Sequence, residues 1–428
     1  MDILFRGVTA VTLDPSGSVL PDVHVGVEAG KIAYVSQTPP KDHIERVVDG
    51  RGRVLTPGLI NAHCHLPMTL FRGLADDVAL SHWLTDHIWP AEARLDSRAA
   101  RAGTMLALAE LLASGTTSVS DMYDHCDDIA ACAAESGLKA NLSRGMLCPD
   151  GRFDAASHQG YRDTLELISA WHGYDDNRIL VDVSIHAEYT SPPALWDKAA
   201  TLAHDRGLGM HVHVSETRDE HEACVKRYHL TPTAVLDRHG VFGTRATVAH
   251  GVWLTDEDMG ILARKNATVT HCPISNLKLA SGVARVSALL NRGVNVALGT
   301  DGAASNNTLD LWEEIKTAAL LAKNLGGAPD RFTAPQALQL AVTGGARAQG
   351  RETETGQITV GFDADLILID FDKPHLIPCR DPLSHLAYAV RGSDVVMTLV
   401  RGRVLYENGE FLTIDIEKAK HFCSAELR

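Results

Sequence analysis

Residues 59–65 have the sequence LINAHCH, an apolar run that ends in two histidines separated by one residue. Further apolar runs follow it, most of them ending in polar residues, and longer segments of helical period such as SRAARAGTMLALAELLASG (97–115) lie between them. This alternation predicts repeated βα units and therefore a parallel sheet. The candidate strands are LINAHCH (59–65), TTSVSDM (116–122), KANLSRG (139–145), LVDVSIHA (180–187), GMHVHVSE (209–216), ATVAHG (246–251), ATVTHCP (267–273) and VNVALGTDG (294–302).

These eight runs match the number of strands that closes a (β/α)₈ barrel. His63 and Asp301 are 238 residues apart in the sequence, close to the typical barrel size of about 250 residues. We therefore predict an α/β fold whose main domain, residues 56–355, is a (β/α)₈ TIM-type barrel. The absence of a sequence repeat at a fixed period argues against a solenoid.

The two ends of the chain have a different pattern. Runs such as VHVGVEAGKIAYVS (23–36) and GQITVGFDADLILIDF (356–371) alternate apolar and polar residues and are interrupted by Gly and Asp. Such short runs with turn residues between them are typical of antiparallel strands. We predict that residues 1–55 and 356–428 together build one small β-sandwich domain.

The composition excludes several classes of function. The chain has 54 acidic and 40 basic residues, and the net charge of −14 repels nucleic acid and anionic lipid. No uninterrupted apolar stretch reaches the roughly 18 residues of a membrane helix, and the N-terminal MDILFRGVTAVTLD lacks the pattern of a signal peptide. The eight cysteines contain no C-x-x-C pair, which is typical of reduced thiols. We expect a cytoplasmic protein that binds neither nucleic acid nor membrane.

The polar residues at the strand ends indicate a functional site, because the C-terminal strand ends of a barrel meet on one face. His63 and His65 are two residues apart on a strand and therefore point to the same side. With His213 and Asp301 they make three imidazoles and one carboxylate, a set that fits a catalytic zinc-type site. Glu216 lies in the loop after His213, and together with His250 and Asp301 it is a candidate for proton transfer or for orienting a water. His211 is a less favoured fifth ligand, and HCPISN (271–276) is expected to form a wall with hydrogen bonds.

Longer motifs resemble a known superfamily. PGLINAHCHLPMT (57–69), HVHVSET (211–217), HCPISNLKLASG (271–282) and ALGTDGAASNN (297–307) resemble the mononuclear branch of the amidohydrolase superfamily. RGLADDVALSHWLTDHIWPAEARL (72–95), SDMYD (120–124) and SIHAEYT (184–190) are similar to 5'-methylthioadenosine/S-adenosylhomocysteine deaminases. The resemblance covers nearly the whole chain.

This resemblance implies a role for each matching residue. His63, His65, His213 and Asp301 would hold one divalent ion per chain, zinc in the first place and Fe²⁺ or Mn²⁺ as alternatives. A single ion is expected because the fourth strand carries His186 where binuclear relatives have a bridging lysine. Glu216 would shuttle a proton to the substrate, with His250 and Asp301 beside the attacking water. The substrate would be bound by Trp83 in the pocket wall, Glu92 at the ribose hydroxyls, His186 at the purine and Arg144 at the 5'-substituent.

The predicted activity is hydrolytic deamination of adenine nucleosides with 5'-thio or 5'-deoxy substituents to the inosine analogue and ammonia. The candidate substrates are 5'-methylthioadenosine, S-adenosylhomocysteine, adenosine and 5'-deoxyadenosine. Alternatives on the same site are deamination of a free purine, pyrimidine or pterin base and displacement of chloride or amine from a triazine. An alternative from another class is a non-catalytic barrel that serves in assembly. Loss of metal ligands would mark that case, and none of the four is lost in this sequence. Arg152 is the candidate for a second basic residue at the pocket mouth. We also expect the protein to form a homo-oligomer.

Overall fold

The computed structural model describes residues 1–41 and 43–426, so Asp42 and residues 427–428 of the predicted small domain lie outside the described residues. Most of the chain alternates strands and helices in the order that the sequence predicts. The strands are β1 (Ile3–Val11), β2 (Val19–Glu28), β3 (Lys31–Ser36), β4 (Arg46–Asp49), β5 (Arg53–Pro57), β6 (Leu59–His65), β7 (Thr116–Tyr123), β8 (Lys139–Arg144), β9 (Ile179–Val181), β10 (Val183–Ala187), β11 (Met210–Val214), β12 (Ala246–His250), β13 (Thr268–His271), β14 (Asn295–Leu298), β15 (Asp301–Gly302), β16 (Leu366–Asp370), β17 (Val395–Val400), β18 (Arg403–Glu407) and β19 (Glu410–Phe411).

The helices occupy most of the connections between the barrel strands and part of the C-terminal region. They are α1 (Leu80–His82), α2 (Trp89–Glu92), α3 (Ser97–Ala113), α4 (Cys126–Ser136), α5 (Gln159–Trp171), α6 (Tyr174–Asn177), α7 (Pro193–Arg206), α8 (Arg218–Tyr228), α9 (Pro232–Arg238), α10 (Asp256–Arg264), α11 (Pro273–Lys278), α12 (Val286–Asn291), α13 (Ala303–Asn306), α14 (Leu311–Gly326), α15 (Ala334–Ala341), α16 (Thr343–Gln349), α17 (Pro382–Tyr388) and α18 (Ile416–Glu426). A π-helical turn, Trp83–Ile88, joins α1 to α2.

The central strands pair in parallel, as the βα alternation predicts. One sheet has the order β15-β6-β7-β8-β9 and the other has the order β10-β11-β12-β13-β14. One residue separates β9 from β10 and two separate β14 from β15, so each of these pairs continues one strand of the barrel from one sheet into the other. The ten segments therefore occupy the eight predicted strand positions in the described part of the chain. The predicted α/β barrel fold is confirmed.

The strands from both chain ends, which the sequence assigns to one small β-sandwich domain, join one nine-stranded sheet with mixed pairing. The order is β19-β18-β17-β16-β5-β1-β2-β3, and β4 also pairs with β1. The β1 strand runs parallel to both β4 and β5, whereas the sequence pattern predicts antiparallel pairs. The difference arises because two connections return to the same side of β1 instead of forming hairpins. A separate apolar core lies on this sheet and includes Phe5, Val25 and Leu368.

The C-terminal region also contributes helices that contact the barrel. The α18 helix packs against α3, and α17 packs against α14 and α15. A buried ion cluster joins the N-terminal end of β8 to the loop before β16, where Lys139 Nζ lies 2.5 Å from both Asp363 Oδ2 and Asp365 Oδ2. The division into residues 1–55 plus 356–428 and residues 56–355 remains our proposal. Among the described helices, none is long and apolar enough to cross a membrane.

Candidate active site

Three histidines at the C-terminal ends of β6 and β11 turn the same ring nitrogen toward one point. His65 Nδ1 lies 2.5 Å from the Met122 carbonyl oxygen, and His213 Nδ1 lies 2.8 Å from the His186 carbonyl oxygen. A carbonyl accepts a hydrogen bond, so each Nδ1 carries the proton and each Nε2 keeps a free lone pair. His63 Nδ1 lies 3.0 Å from His211 Nε2. These are the outer hydrogen bonds that orient histidines around a metal ion.

His63 gives the clearest test of whether this site fits a metal. Its Nε2 atom is buried, and within residues 1–41 and 43–426 it has no hydrogen-bond partner. A buried polar atom without a hydrogen-bond partner costs free energy unless an ion or a water molecule binds to it. Ligand atoms of His63, His65 and His213 lie within 4.8 Å of one another, as do those of His63, His250 and Asp301. The donor set of imidazoles and a carboxylate therefore fits a divalent transition metal such as zinc.

Asp301 completes this cluster from the end of the last barrel strand. Its Oδ1 atom lies 3.1 Å from His65 Nε2 and 3.5 Å from His63 Nε2. The hydroxyls of Ser275 and Ser305 donate to Oδ2 at 2.6 and 2.9 Å, which leaves Oδ1 directed at the histidines. Burial opposes ionisation of Asp301, but the adjacent histidines outweigh it and hold the pKa of this carboxyl well below its usual range. Asp301 is thus present as a carboxylate.

Glu216 and His250 face each other beside the cluster. His250 Nε2 lies 3.7 Å from Glu216 Oε2, and the Ser281 hydroxyl donates to Glu216 Oε1 at 3.3 Å. His250 Nδ1 lies 2.9 Å from Asn276 Oδ1, an acceptor that fixes the proton on Nδ1 and leaves Nε2 toward Glu216. Burial raises the pKa of Glu216. A raised pKa favours the protonated form of a carboxyl, which suits a group that donates a proton.

The backbone that presents these groups is in an unusual conformation. Ser215, His250 and Asp301 have φ angles of 51°, 68° and 61°, in the left-handed region that non-glycine residues rarely adopt. Each lies at or just beyond a strand end, where the chain turns its side chains into the pocket. Such conformations cluster at active sites because the surrounding structure enforces them.

The start of α8 holds Glu216 in place. The backbone N–H groups of Ser215 and Glu216 each donate to a carboxylate oxygen of Glu220 at 2.7 Å. Thr217 caps the helix by accepting from the Glu220 N–H. The Thr-x-x-Glu capping box therefore fixes the residue that precedes the helix. Burial and the charge of Glu216 raise the pKa of Glu220 to about 7.

A pocket next to these groups contains most of the predicted substrate-binding residues. Trp83, Glu92 and His186 line it together with His65, Glu216 and Asp301. Trp83 is buried, and Glu92 lies beside Tyr123. Burial lowers the pKa of His186 to about 3, so its ring is neutral at pH 7. The structure thus brings Glu92 of the first connection into one pocket with His186 of the fourth barrel strand, which lies 94 positions later in the sequence.

The predicted basic residues are not among those that line the pocket. Arg144 nevertheless lies close to the pocket acid Glu92, because the charge of each acts on the pKa of the other. It forms ion pairs with Asp124 and Asp163. Arg152 is exposed on the following loop.

Asp121 is buried, accepts from the Leu66 N–H at 2.7 Å and has its pKa raised by burial to about 7.

Sequence reasoning missed several residues that orient the site. Ser305, Ser281 and Glu220 support Asp301 and Glu216 in the structure. Only the T-x-x-E spacing before α8 offered a signal, and it identifies a helix start, not a site. The segment HCPISN (271–276) makes the hydrogen bonds that we expected of it. The Ser275 hydroxyl donates to Asp301, and Asn276 Oδ1 accepts from His250.

A parallel barrel with histidines, a carboxylate and a protonatable glutamate at its C-terminal face defines a metal-type hydrolase site. The chain belongs to the Amidohydrolase family, whose model matches residues 54–405. It is 45% identical over 419 residues to a 5'-deoxyadenosine deaminase of Methanosarcina acetivorans, covering 97% of this chain and 95% of the relative. It is 42% identical to a 5-methylthioadenosine/S-adenosylhomocysteine deaminase of Moorella thermoacetica, covering 97% and 96% of the two chains. A zinc-bound adenosine deaminase structure from Xanthomonas campestris matches with a TM-score of 0.93 and 35% identity over 99% of this chain and 98% of that chain.

Proposed function

We propose that this protein is a hydrolase that deaminates adenosines with a 5'-deoxy or 5'-thio substituent to the inosine analogue and ammonia. The observation behind this is that Glu92 and Trp83 share one pocket with Glu216 and the histidine cluster. A carboxylate near the reacting groups can accept from two vicinal ribose hydroxyls, which a free base or a triazine lacks. The relatives named for 5'-substituted adenosines support the same substrate class over nearly the full length of the chain.

We propose that His63, His65, His213 and Asp301 hold one divalent ion per chain, zinc in the first place. When bound, such an ion lowers the pKa of water from 15.7 to about 7 and so supplies a nucleophile at neutral pH. His63 Nε2, which makes no hydrogen bond within the described part of the chain, and the outer hydrogen bonds of His65 and His213 support this assignment. Iron and manganese remain alternatives for the metal in the cell.

The residues around the reacting carbon divide the proton transfers. Glu216, with its raised pKa, gives a proton to N1 of the purine ring as water adds at C6. His250 or Asp301 accepts the one proton that the water loses, and both orient the new hydroxyl. The C6–N bond then breaks, and the amine takes up the proton that the water lost and leaves as ammonia. The C6 hydroxyl becomes a carbonyl, and its proton returns to Glu216. The buried position of Glu216 and His250 excludes bulk water from these steps.

We propose that three residues bind the substrate. Trp83 would lie against the nucleoside, Glu92 would bind the ribose hydroxyls, and neutral His186 would contact the purine ring. We also propose that the chain acts in the cytoplasm as a homo-oligomer without nucleic acid or membrane partners.

The test is ammonia release from a panel of substrates. We expect 5'-deoxyadenosine and 5'-methylthioadenosine to give the highest kcat/KM, above adenosine, guanine and a chlorotriazine. S-adenosylhomocysteine in the same panel measures the tolerance for a long 5'-tail. Faster turnover of guanine or of the triazine would contradict the nucleoside assignment and favour the alternatives on the same site.

A further inference from the structure

Glu314 is a buried carboxyl group that the proposed proton transfers do not use. It lies in the first turn of α14, and its exposed fraction is 0%. Its Oε2 atom accepts from the Ile274 backbone N–H at 3.2 Å, and its Oε1 atom accepts from the Asn306 side-chain amide at 2.6 Å. Burying a carboxyl costs free energy unless its oxygens are hydrogen-bonded. Each oxygen of Glu314 therefore binds one short helix, α11 through Ile274 and α13 through Asn306.

The two partners of this carboxyl are the sequence neighbours of two serines that bind Asp301. Ile274 precedes Ser275, and Asn306 follows Ser305. The hydroxyls of Ser275 and Ser305 donate to Asp301 Oδ2, at 2.6 and 2.9 Å. One buried carboxyl thus binds both segments that supply a donor to Asp301.

Asn306 also contacts the backbone next to Asp301. Its Nδ2 atom donates to the Thr300 carbonyl at 2.7 Å as well as to Glu314, so both hydrogens of the amide have acceptors. Thr300 is in turn hydrogen-bonded to Asn61 of β6, the strand that carries the first two histidines of the cluster. Asp301 has a φ angle of 61°, a conformation that persists only where the surrounding structure enforces it. The contacts of Glu314 are part of that structure.

We propose that Glu314 is a positioning residue that sets the direction of the Asp301 carboxylate through Ser275 and Ser305. The two hydroxyls then occupy Oδ2, and Oδ1 faces the histidine cluster. Glu314 acts from outside the pocket, since it is not among the described residues that line it. This inference rests on the metal site of the proposed function, because it assumes that Asp301 is a ligand.

The test is zinc affinity, measured by transfer of zinc from the loaded protein to a chromophoric chelator. Glu314→Gln keeps the shape but has one oxygen and one NH₂ group, so it can accept from only one of the two donors. We expect the zinc Kd to rise by about 10 to 100 fold, the usual effect of losing an outer contact of a metal ligand. Glu314→Met also fills the space but accepts from neither donor, so its zinc affinity should be lower still.

Glu313→Gln is the matched control, because Glu313 is the preceding residue, is exposed and loses the same charge. Its zinc Kd should equal that of the wild type. Tm is measured on the same samples, since a residue that only stabilises the fold would lower Tm without changing the zinc Kd. A double variant, Glu314→Gln with Ser305→Ala, gives a further readout. If Glu314 acts through Ser305, the Kd of the double variant should rise by less than the product of the two single changes.

A wild-type zinc Kd in both Glu314→Gln and Glu314→Met would overturn the inference, whatever their Tm. If neither variant folds, Asn306→Ala takes their place, because it removes the contact of Glu314 with α13 and Thr300. An unchanged zinc Kd in Asn306→Ala would overturn the inference in the same way. A wild-type protein that binds no zinc would contradict the proposed metal site and this inference together. Ammonia release tests the substrate separately, so its failure would leave the result on Glu314 in place.

Discussion

At the scale of single residues, the histidine cluster makes a prediction about metal content. Because three imidazoles and Asp301 converge, we expect one divalent ion per chain by elemental analysis, with zinc the main metal. Activity should be lost on treatment with a chelator and return when zinc is added. His65→Ala should lose the ion, whereas His204→Ala, with a side chain that is 78% exposed on α7, should keep it. Two ions per active chain, or none, would contradict this assignment.

Glu216 makes a second prediction at this scale. Glu216→Gln keeps the shape and most hydrogen bonds but cannot donate an acidic proton, so kcat should fall by about 10² or more. Metal content should stay unchanged, because Glu216 is outside the proposed ligand set. Glu222→Gln is a matched control, since Glu222 lies on α8 with 60% of its side chain exposed. A Glu216→Gln rate within about tenfold of the wild-type rate would assign Glu216 a structural role only.

The residues of the site differ in how well the sequence predicts them. His63, His65, His213 and Asp301 were predictable because each ends a barrel strand, and strand ends converge whatever the loops do. Ser281 and Ser305 were harder to predict, because a hydroxyl that supports a neighbour has no periodicity of its own. The family resemblance implied that Arg144 faces the 5'-substituent. Its direction depends on Asp124 and Asp163, which only the folded chain brings to it.

At the scale of elements, the segment from α1 to α2 supplies Trp83 and Glu92 to the pocket lining. The structure has a π-helical turn over Trp83–Ile88 in this segment. Such a turn changes the helical register within the segment that places Trp83 and Glu92 in the pocket lining. Irregular turns of this kind are frequent at functional sites and have no local sequence signal.

Glu92 gives the test for this element. Charged hydrogen bonds contribute about 1.5 to 3 kcal/mol each, so Glu92→Ala should lower kcat/KM for 5'-methylthioadenosine by roughly 10 to 150 fold. A 2',3'-dideoxy analogue lacks both hydroxyls and should be affected much less. The two substrates are compared on the same variant, which controls for loss of folded protein. Equal losses on both would indicate that Glu92 only supports the fold and would favour a free base or a triazine as substrate.

At the scale of the whole molecule, the sequence predicts the order of the strands along the chain better than it predicts which strands pair in the sheets. The βα alternation predicted the barrel because parallel strands need long crossovers. The sheet at the chain ends was predicted from its turn residues. Its parallel pairs of β1 with β4 and β5 were not, because turn chemistry identifies hairpins but does not specify which distant strand docks at an edge.

The junction between the barrel and this sheet contains a buried cation, Lys139. Lys139 is fully buried, and its ammonium binds Asp363 and Asp365. Lys139→Met would leave two carboxylates without their buried cation, and such a loss costs about 3 to 5 kcal/mol. We expect Tm to fall by several degrees, measured by calorimetry or circular dichroism. Lys31→Met is the control, because Lys31 pairs with Asp363 from a half-exposed position and should shift Tm much less.

The same junction predicts how stability depends on pH. Burial opposes ionisation of Asp363, but Lys139 and Lys31 outweigh it and lower its pKa below 3.8. A carboxyl with a lowered pKa in the folded state stabilises the fold fully above its ordinary pKa, and this contribution is lost as the pH falls further. The Tm difference between wild type and Lys139→Met should therefore be large at pH 7 and shrink below about pH 4. Adding Asp365→Asn to Lys139→Met should recover part of the lost Tm, because one unpaired buried charge is removed. Equal Tm values for Lys139→Met and Lys31→Met would show that the buried cluster does not stabilise the junction between the barrel and the sheet.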